Sequence, residues 1–392
     1  VVAATGPYKQ QCNFGVIAGV SGTNTITING NGNTLTFNAT ISTAPHTILL
    51  SGADYMYFNN LTVRGTGATY ALTLHMYNQS DNNNFTNCLF YAPLLGTSSA
   101  MSPVSLSGSS NLATTVGNSG NNNVWDNCTM SGGYYGTAIV GNSSAPNTNN
   151  QVLNSNIVDF YIYGCYNYYT TGTIWRGNTI ERVNRTNPTT GYGFYLTTGV
   201  TGIVMEGNRI RKMFDGVQPS TGSCYAFYLL SGGTALNVNT IRNNVISDIR
   251  CHGTIYGIYD PGYNYYDIYH NTISIDDVNA TGGTSYAIYC SGNTAINIKN
   301  NIITMNRGGT GTKYCLYYTS AAGITSNNNM LYNAGTTGVN GIGYYNGIFN
   351  TLSQWKTANG WDQASKSIDP LYTNTVTGNY MPSEPTINNM GE

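Results

Sequence analysis

Residues able to carry acid–base or metal chemistry are scarce in this chain. Asp and Glu together number 16, and His 4, among 392 residues. A glycosidase site needs two facing carboxylates. A calcium-dependent lyase site needs a carboxylate cluster beside an Arg or Lys base. The one adjacent acidic pair, Asp276-Asp277, falls past a strand end, where a solvated turn accounts for it. His46 has no chemical company, and His75, His252 and His270 read as structural. The eight cysteines include no CxxC and no zinc spacing. They read as buried thiols, with Cys88 and Cys128 placed to stack and disulfides open in a secreted protein. No Gly-rich loop follows a strand and opens a helix, so the glycines are turn residues and no phosphate site is expected. The expectation is no catalytic residue, no metal and no cofactor.

What recurs instead is tyrosine. The pattern Tyr-small-apolar-Tyr occurs at Tyr192-Gly193-Phe194-Tyr195, Tyr225-Ala226-Phe227-Tyr228, Tyr256-Gly257-Ile258-Tyr259, Tyr286-Ala287-Ile288-Tyr289 and Tyr314-Cys315-Leu316-Tyr317. The apolar third residue should point inward, and strand alternation then sends Tyr195, Tyr228, Tyr259, Tyr289 and Tyr317 outward. Aligned on one face they would form a flat aromatic strip. Such a strip suits sugar rings or another subunit. The competing expectation is a structural ladder of mutually stacked rings covered by a loop.

A second motif, Asn-x-apolar, keeps the same period of about 30 residues, the range of a repeat architecture. Its members are Asn178, Asn208, Asn244, Asn271 and Asn301. Extended backward they become Asn60, Asn87, Asn127 and Asn156, and forward Asn329. Around them apolar residues sit two apart, as in Ile296, Ile298 and Ile303, which is the period of strands and not of helices. Gly, Asn, Thr and Ser fill the gaps, as turns require. Short strands, hardly any helix and one motif pair per coil predict an all-β, right-handed parallel β-helix of about 13 coils, its strands stacked about 4.8 Å apart. Equivalent asparagines would then lie above one another as a ladder of bonded amides at the bend before one strand.

The coils should occupy residues 1–332, opening with alternating strands at 25–28 and 34–37. Residues 91–120 read as an inserted, protruding loop, and 212–223 as a smaller bulge. Residues 333–392 break the pattern and read as a capping region with a helix at 352–357, placed to cover the unpaired strand edge.

Leu352-x-x-Trp355, Gly360-x-Asp362-x-x-Ser365 and Ile368-Asp369-Pro370-Leu371-Tyr372 resemble the C-terminal region of secreted right-handed β-helix proteins of the pectin-lyase-like superfamily, of the kind common in Bacteroidota. Gly52-Ala53-Asp54-Tyr55 and Tyr269-His270-Asn271-Thr272-Ile273 resemble the same group. The resemblance implies the fold and export from the cell. It does not imply one activity, because the group includes lyases, hydrolases and adhesins. Arg209-Ile210-Arg211-Lys212 and Cys251-His252-Gly253 resemble polygalacturonase motifs, but in the opposite order along the chain.

Charged residues make up 8 % of the chain and net charge is −1, against about a quarter in ordinary domains. A basic nucleic-acid footprint is absent, and no apolar run is long enough to enter a membrane. The expected exterior is one of neutral hydrogen-bonding groups. The expectation is a secreted or cell-surface, non-enzymatic protein: an adhesin, matrix or filament-forming module associated with a polysaccharide or with further copies of itself. The alternative is a polysaccharide lyase or glycoside hydrolase.

Overall fold

A computed structural model describes residues 6–292, 294–387 and 391. One coil shows the plan. Ile174–Arg176 pairs with Val204–Glu206 of the next coil, Thr179–Glu181 with Arg209–Arg211, and Gly191–Leu196 with Cys224–Leu229, all in parallel. Repeated along the described residues, this pairing builds three sheets of 11, 12 and 13 strands, parallel except for the last strand of the third, Ile348–Phe349, which pairs antiparallel. They are called A, B and C here, in the order the chain visits them within that coil. The molecule is a parallel β-solenoid of about 12 turns.

The short strands of sheets A and B show why these residues form them. In Ile174–Arg176 and Thr179–Glu181 the central residues, Trp175 and Ile180, are fully buried, while their flanks face out. Each central side chain packs on its equivalent one coil away. Phe58, Phe85 and Trp125 form such a stack inside sheet A, with ring centroids 5.2 and 5.5 Å apart and planes within 10°. Burying one such side chain is worth about 1.5–3 kcal/mol. No coil has a core of its own, so this stacking is what holds coil to coil.

Sheet B passes to sheet C through longer loops, and buried cations pin several of them. Arg182 donates to the carbonyls of Met213 (2.8 Å), Tyr161 (2.7 Å) and Thr189 (3.2 Å). It also lies over the Phe214 ring at 4.7 Å. Lys313 Nζ donates to the carbonyls of Gly309, Gly311 and Thr337. Loop carbonyls, rather than carboxylates, satisfy these charges.

The expected protruding loop at 91–120 is corrected. Its centre, Met101–Leu106, is a regular strand of sheet C between its neighbours Ala71–Tyr77 and Tyr135–Val140. The excursion is thus split in two. The second part folds onto the outer face of sheet C, where Ala113 packs with Leu72, Tyr135 and Ala138. Apolar residues on the outside of those coils account for this, because they need a cover.

At the C-terminal end a helix spans Leu352–Asn359, with a capping box from Thr351 and Gln354 and a left-handed Gly360 (φ 74°) closing it. Its Leu352 and Trp355 are buried against the last coil. The tail beyond does more than cover an edge. Its hairpin, Tyr372–Asn374 with Asn379–Pro382, runs back across sheet B. There Arg209 Nη1 donates to Gly378 O (2.9 Å) and the Tyr380 hydroxyl to Asp248 (3.3 Å). Among the described residues no helix is long and apolar enough to cross a membrane.

Candidate interaction face and the ladder that sets its register

Tyr195, Tyr228, Tyr259, Tyr289 and Tyr317 stand in one column on the outer face of sheet C, paired in direct register from coil to coil. Tyr166 and Tyr344 extend the column at its two ends. Successive ring centroids are 5.5, 5.1, 5.0, 4.9, 5.1 and 4.4 Å apart, with planes inclined by 30° or less. A second column lies beside it, made of the first tyrosines of the same motif. Tyr163, Tyr192, Tyr225, Tyr256 and Tyr286 stack at 5.2, 5.0, 4.6 and 4.9 Å. Tyr135 and Tyr314 complete it. The two columns meet edge to face: Tyr192 with Tyr195 at 80°, Tyr225 with Tyr228 at 86° and Tyr286 with Tyr289 at 83°. The result is a herringbone of phenols.

Strict alternation did not anticipate the second column, because two residues separate the tyrosines and both turn inward. Gly193 and Phe194 are each buried between half-buried Tyr192 and Tyr195. Register pairing steps over the small residue in every coil, from Tyr192–Tyr225 to Phe194–Phe227 and from Tyr256–Tyr286 to Ile258–Ile288. The backbones of adjacent coils crowd this position. A Cβ on Gly193 would sit 2.6 Å from Ala226 O, and one on Gly257 would sit 2.4 Å from Ala287 O. Small residues recur there because the local kink that turns both tyrosines outward brings the coils close.

The rings adopt the mutually stacked arrangement that was the competing expectation. Each ring within a column has a parallel ring above and below, so its faces are already covered. What remains open is the rim, with the hydroxyl and the carbons beside it. Burial pushes the Tyr195 and Tyr259 phenols up to about 12, reinforced by repulsion from neighbouring phenols, and raises Tyr192 and Tyr256 in the same way. These four phenols are therefore protonated and neutral at any ordinary pH. No charged side chain stands in either column.

The turn between sheets A and B sets coil register. From Asn178 through Asn208, Asn244, Asn271 and Asn301 to Asn329 the side chains form one buried column. From Asn208 on, each Oδ1 accepts the backbone N–H and the amide of the asparagine one coil earlier, as Asn244 does from Asn208 at 2.9 and 3.0 Å. Each Nδ2 also donates to a carbonyl of an earlier coil, Met205 O in the case of Asn244 (2.9 Å). Four expected members lie elsewhere. Asn60, Asn87 and Asn127 occupy the preceding left-handed position (φ 51°, 55° and 51°) and are exposed. Asn156 is the exposed residue that follows. In those coils the ladder position belongs to Leu61, Cys88, Cys128 and Ser155. The two thiols substitute for the amide: Cys88 Sγ donates to Phe58 O (3.6 Å) and Cys128 Sγ to Phe85 O (3.3 Å). Asparagine suits both positions, as an amide in one and as a residue tolerant of positive φ in the other. That ambiguity caused the one-residue slip. A shorter ladder, Asn83–Asn123–Asn150, precedes the strands of sheet A. The runs Asn82-Asn83-Asn84 and Asn121-Asn122-Asn123 were its signal.

Asp276 and Asp277 are not a bare solvated turn. They line a groove of about 530 Å³ with Asp248, Arg250, Asp369 and Tyr372, between the outside of sheet B and the returning tail. Burial raises the Asp276 carboxyl, which accepts from Ser274 Oγ at 3.0 Å. Asp248 and Asp369 are far apart in the chain, and only the fold-back of the tail brings them to one groove. Among the described residues no three His, Cys, Asp or Glu side chains are grouped to hold a metal ion.

Comparison with known proteins returned no match: no family model, no curated protein and no solved structure resembles the chain closely enough to count.

Proposed function

We propose that this chain is a non-enzymatic, extracellular structural module that associates with further copies of itself through the tyrosine face of sheet C. The observation that carries the reading is the herringbone. Its ring faces are consumed by mutual stacking, and its outer surface is a neutral array of hydroxyl-bearing rims at the coil spacing. A sugar ring needs an open aromatic face, and the interior of these columns has none. A second copy presents the same spacing by construction and brings no charge to repel the first. Secretion or display at the cell surface remains part of the proposal. It is supported by the low charge and by the resemblance to secreted β-helix proteins of the pectin-lyase-like kind.

The test is assembly. Sedimentation and electron microscopy of the protein should give dimers or ordered fibres. A Tyr195→Ser, Tyr228→Ser, Tyr259→Ser variant should remain a folded monomer by circular dichroism. A protein that stays monomeric at every concentration, yet binds in a glycan array, would move the reading to an adhesin. A second reading, a polysaccharide lyase or glycoside hydrolase, rests on the carboxylates and Arg250 that converge in the groove beneath the tail. It predicts turnover of a polysaccharide that is abolished by Asp276→Asn.

A further inference from the structure

Stacked phenols share an oxidised state. Removing an electron from one ring of a parallel stack leaves a hole that neighbours in contact can share, which makes the stack easier to oxidise than an isolated phenol. Along the column from Tyr166 to Tyr344 every adjacent pair lies within 5.5 Å, centroid to centroid. The second column is joined to it through edge contacts such as Tyr163 with Tyr195 at 4.7 Å and Tyr286 with Tyr317 at 4.9 Å. A radical formed on any ring can therefore reach the others.

The reactive positions of a phenoxyl radical are the ring carbons beside the oxygen. With faces covered and each residue half-buried, the buried Tyr135 and Tyr314 apart, those carbons and the hydroxyl make up the open rim. Neighbours within one chain meet face to face in a column, or edge to face between columns. The near-parallel planes hold the reacting carbons of stacked neighbours apart, although the hydroxyls of Tyr317 and Tyr344 meet. A second copy, rim to rim, brings such carbons together.

We infer that the tyrosine face is a site of oxidative phenol coupling between copies of this chain, joined by dityrosine bonds. The inference rests on the self-association proposed above, which supplies the approach of the second copy. The oxidant is of the haem peroxidase class, with hydrogen peroxide as the electron acceptor. Each of two phenols gives up one electron and its hydroxyl proton, and the peroxide takes both pairs to become two waters. The two phenoxyl radicals join through a new carbon–carbon bond beside the oxygens. The hydrogen on each joined carbon then moves to its oxygen and restores the phenol. Coupling converts a reversible contact into a covalent one, using chemistry that fits an extracellular matrix protein whose thiols, Cys12 apart, are buried.

The experiment treats the intact protein with a haem peroxidase and limiting hydrogen peroxide, then reads covalent dimer on a denaturing gel, dityrosine fluorescence, and the cross-linked peptides by mass spectrometry. The expected cross-links join peptides carrying Gly191–Leu196, Cys224–Leu229, Ile255–Asp260 and Ser285–Gly292 of different chains. Replacing Tyr195, Tyr228, Tyr259, Tyr289 and Tyr317 by Phe keeps the stacking but removes the phenols, and should cut covalent dimer several-fold. Replacing Tyr8, Tyr57 and Tyr70 by Phe, which are half-buried elsewhere, should leave it unchanged. Cross-links scattered over all tyrosines according to exposure, or found only within single chains, overturn the coupling inference. Sedimentation of the untreated protein separates the two levels. Association together with scattered cross-links removes only the coupling, whereas absence of association together with only intrachain products removes the self-association reading as well.

Discussion

Asn244 and Asn87 carry the same side chain in what looks like the same motif, yet they do different work. Asn244 satisfies the backbone N–H and amide of Asn208 and donates to Met205 O and Asn271 Oδ1, all out of reach of solvent. Asn244→Ala should cost about 2–4 kcal/mol, because it strands buried donors in the coil below. Asn87→Ala loses only exposed contacts, to Asn59 and from Asn127, and a tolerance for positive φ, about 1 kcal/mol. Chemical denaturation of both variants measures the difference, and equal losses would contradict the ladder register described above. Two histidines contribute to the acid limb of stability. Burial holds His75 and His46 at about 4 against an ordinary 6.5. Both are neutral in the fold and protonate more readily when unfolded. Their contribution is complete above pH 6.5 and is lost as pH falls toward 4. Asp260 acts in the opposite sense. Burial raises it to about 6, so its contribution is present below its ordinary 3.8 and is lost as pH rises through 6. His75→Gln, which can keep a donor toward Ser109 O, should flatten the fall of melting temperature between pH 6.5 and 4 by an amount equivalent to at most about 3 kcal/mol.

The C-terminal helix is tied to the coils through one carboxylate. Asp362 accepts from Trp355 Nε1 (2.9 Å) and Ser326 Oγ (2.9 Å) on one oxygen, and from Asn329 Nδ2 (2.9 Å) and Ser365 Oγ (2.7 Å) on the other. Ser365 Oγ in turn accepts the Asn329 backbone N–H at 2.8 Å. The motif Gly360-x-Asp362-x-x-Ser365 thus ends the asparagine ladder, supplying the acceptors that a further coil would have supplied. Asp362→Ala should expose Trp355, shift its fluorescence to the red and admit protease to the chain after residue 350. The loss is about 3 kcal/mol, since several buried donors lose their acceptor together. Unchanged fluorescence and protease resistance would mean that apolar packing of Leu352 and Trp355 alone holds the cap.

Across the whole molecule, chemistry divides by sheet. Sheet C carries the neutral tyrosine face. The outside of sheet B carries Glu181, Arg209, Arg211 and the groove of Asp248, Arg250 and Asp276, with Arg211 paired to Glu181 at 3.0 Å. Association through sheet C should therefore be insensitive to ionic strength, because there is no charge on that face to screen. Sedimentation from low to high salt checks this. Dissociation by salt would place the contact on sheet B, or on sheet A, where Arg176 and Arg242 pair with Glu206, instead.

The amino-acid sequence alone determined the repeat, the all-β coil and the outward tyrosines at 195, 228, 259, 289 and 317. All three follow from local periodicity, and in a solenoid each coil is specified by its own residues and its immediate neighbours. The helix near residue 352 was legible for the same reason, through its cap. Which residue of Asn87-Cys88 or Asn60-Leu61 faces the core was not legible, because the left-handed position and the ladder position are adjacent and both accept asparagine. The second tyrosine column was hidden by a kink that appears only when coils press together at Gly193 and Gly257. The groove on sheet B required the tail to cross several coils, bringing Asp369 beside Asp248 and Asp276. Contacts along the coil are written in the sequence as period. Contacts made by backbone crowding between coils, or by a segment returning over many of them, have no period and were decided by the tertiary structure.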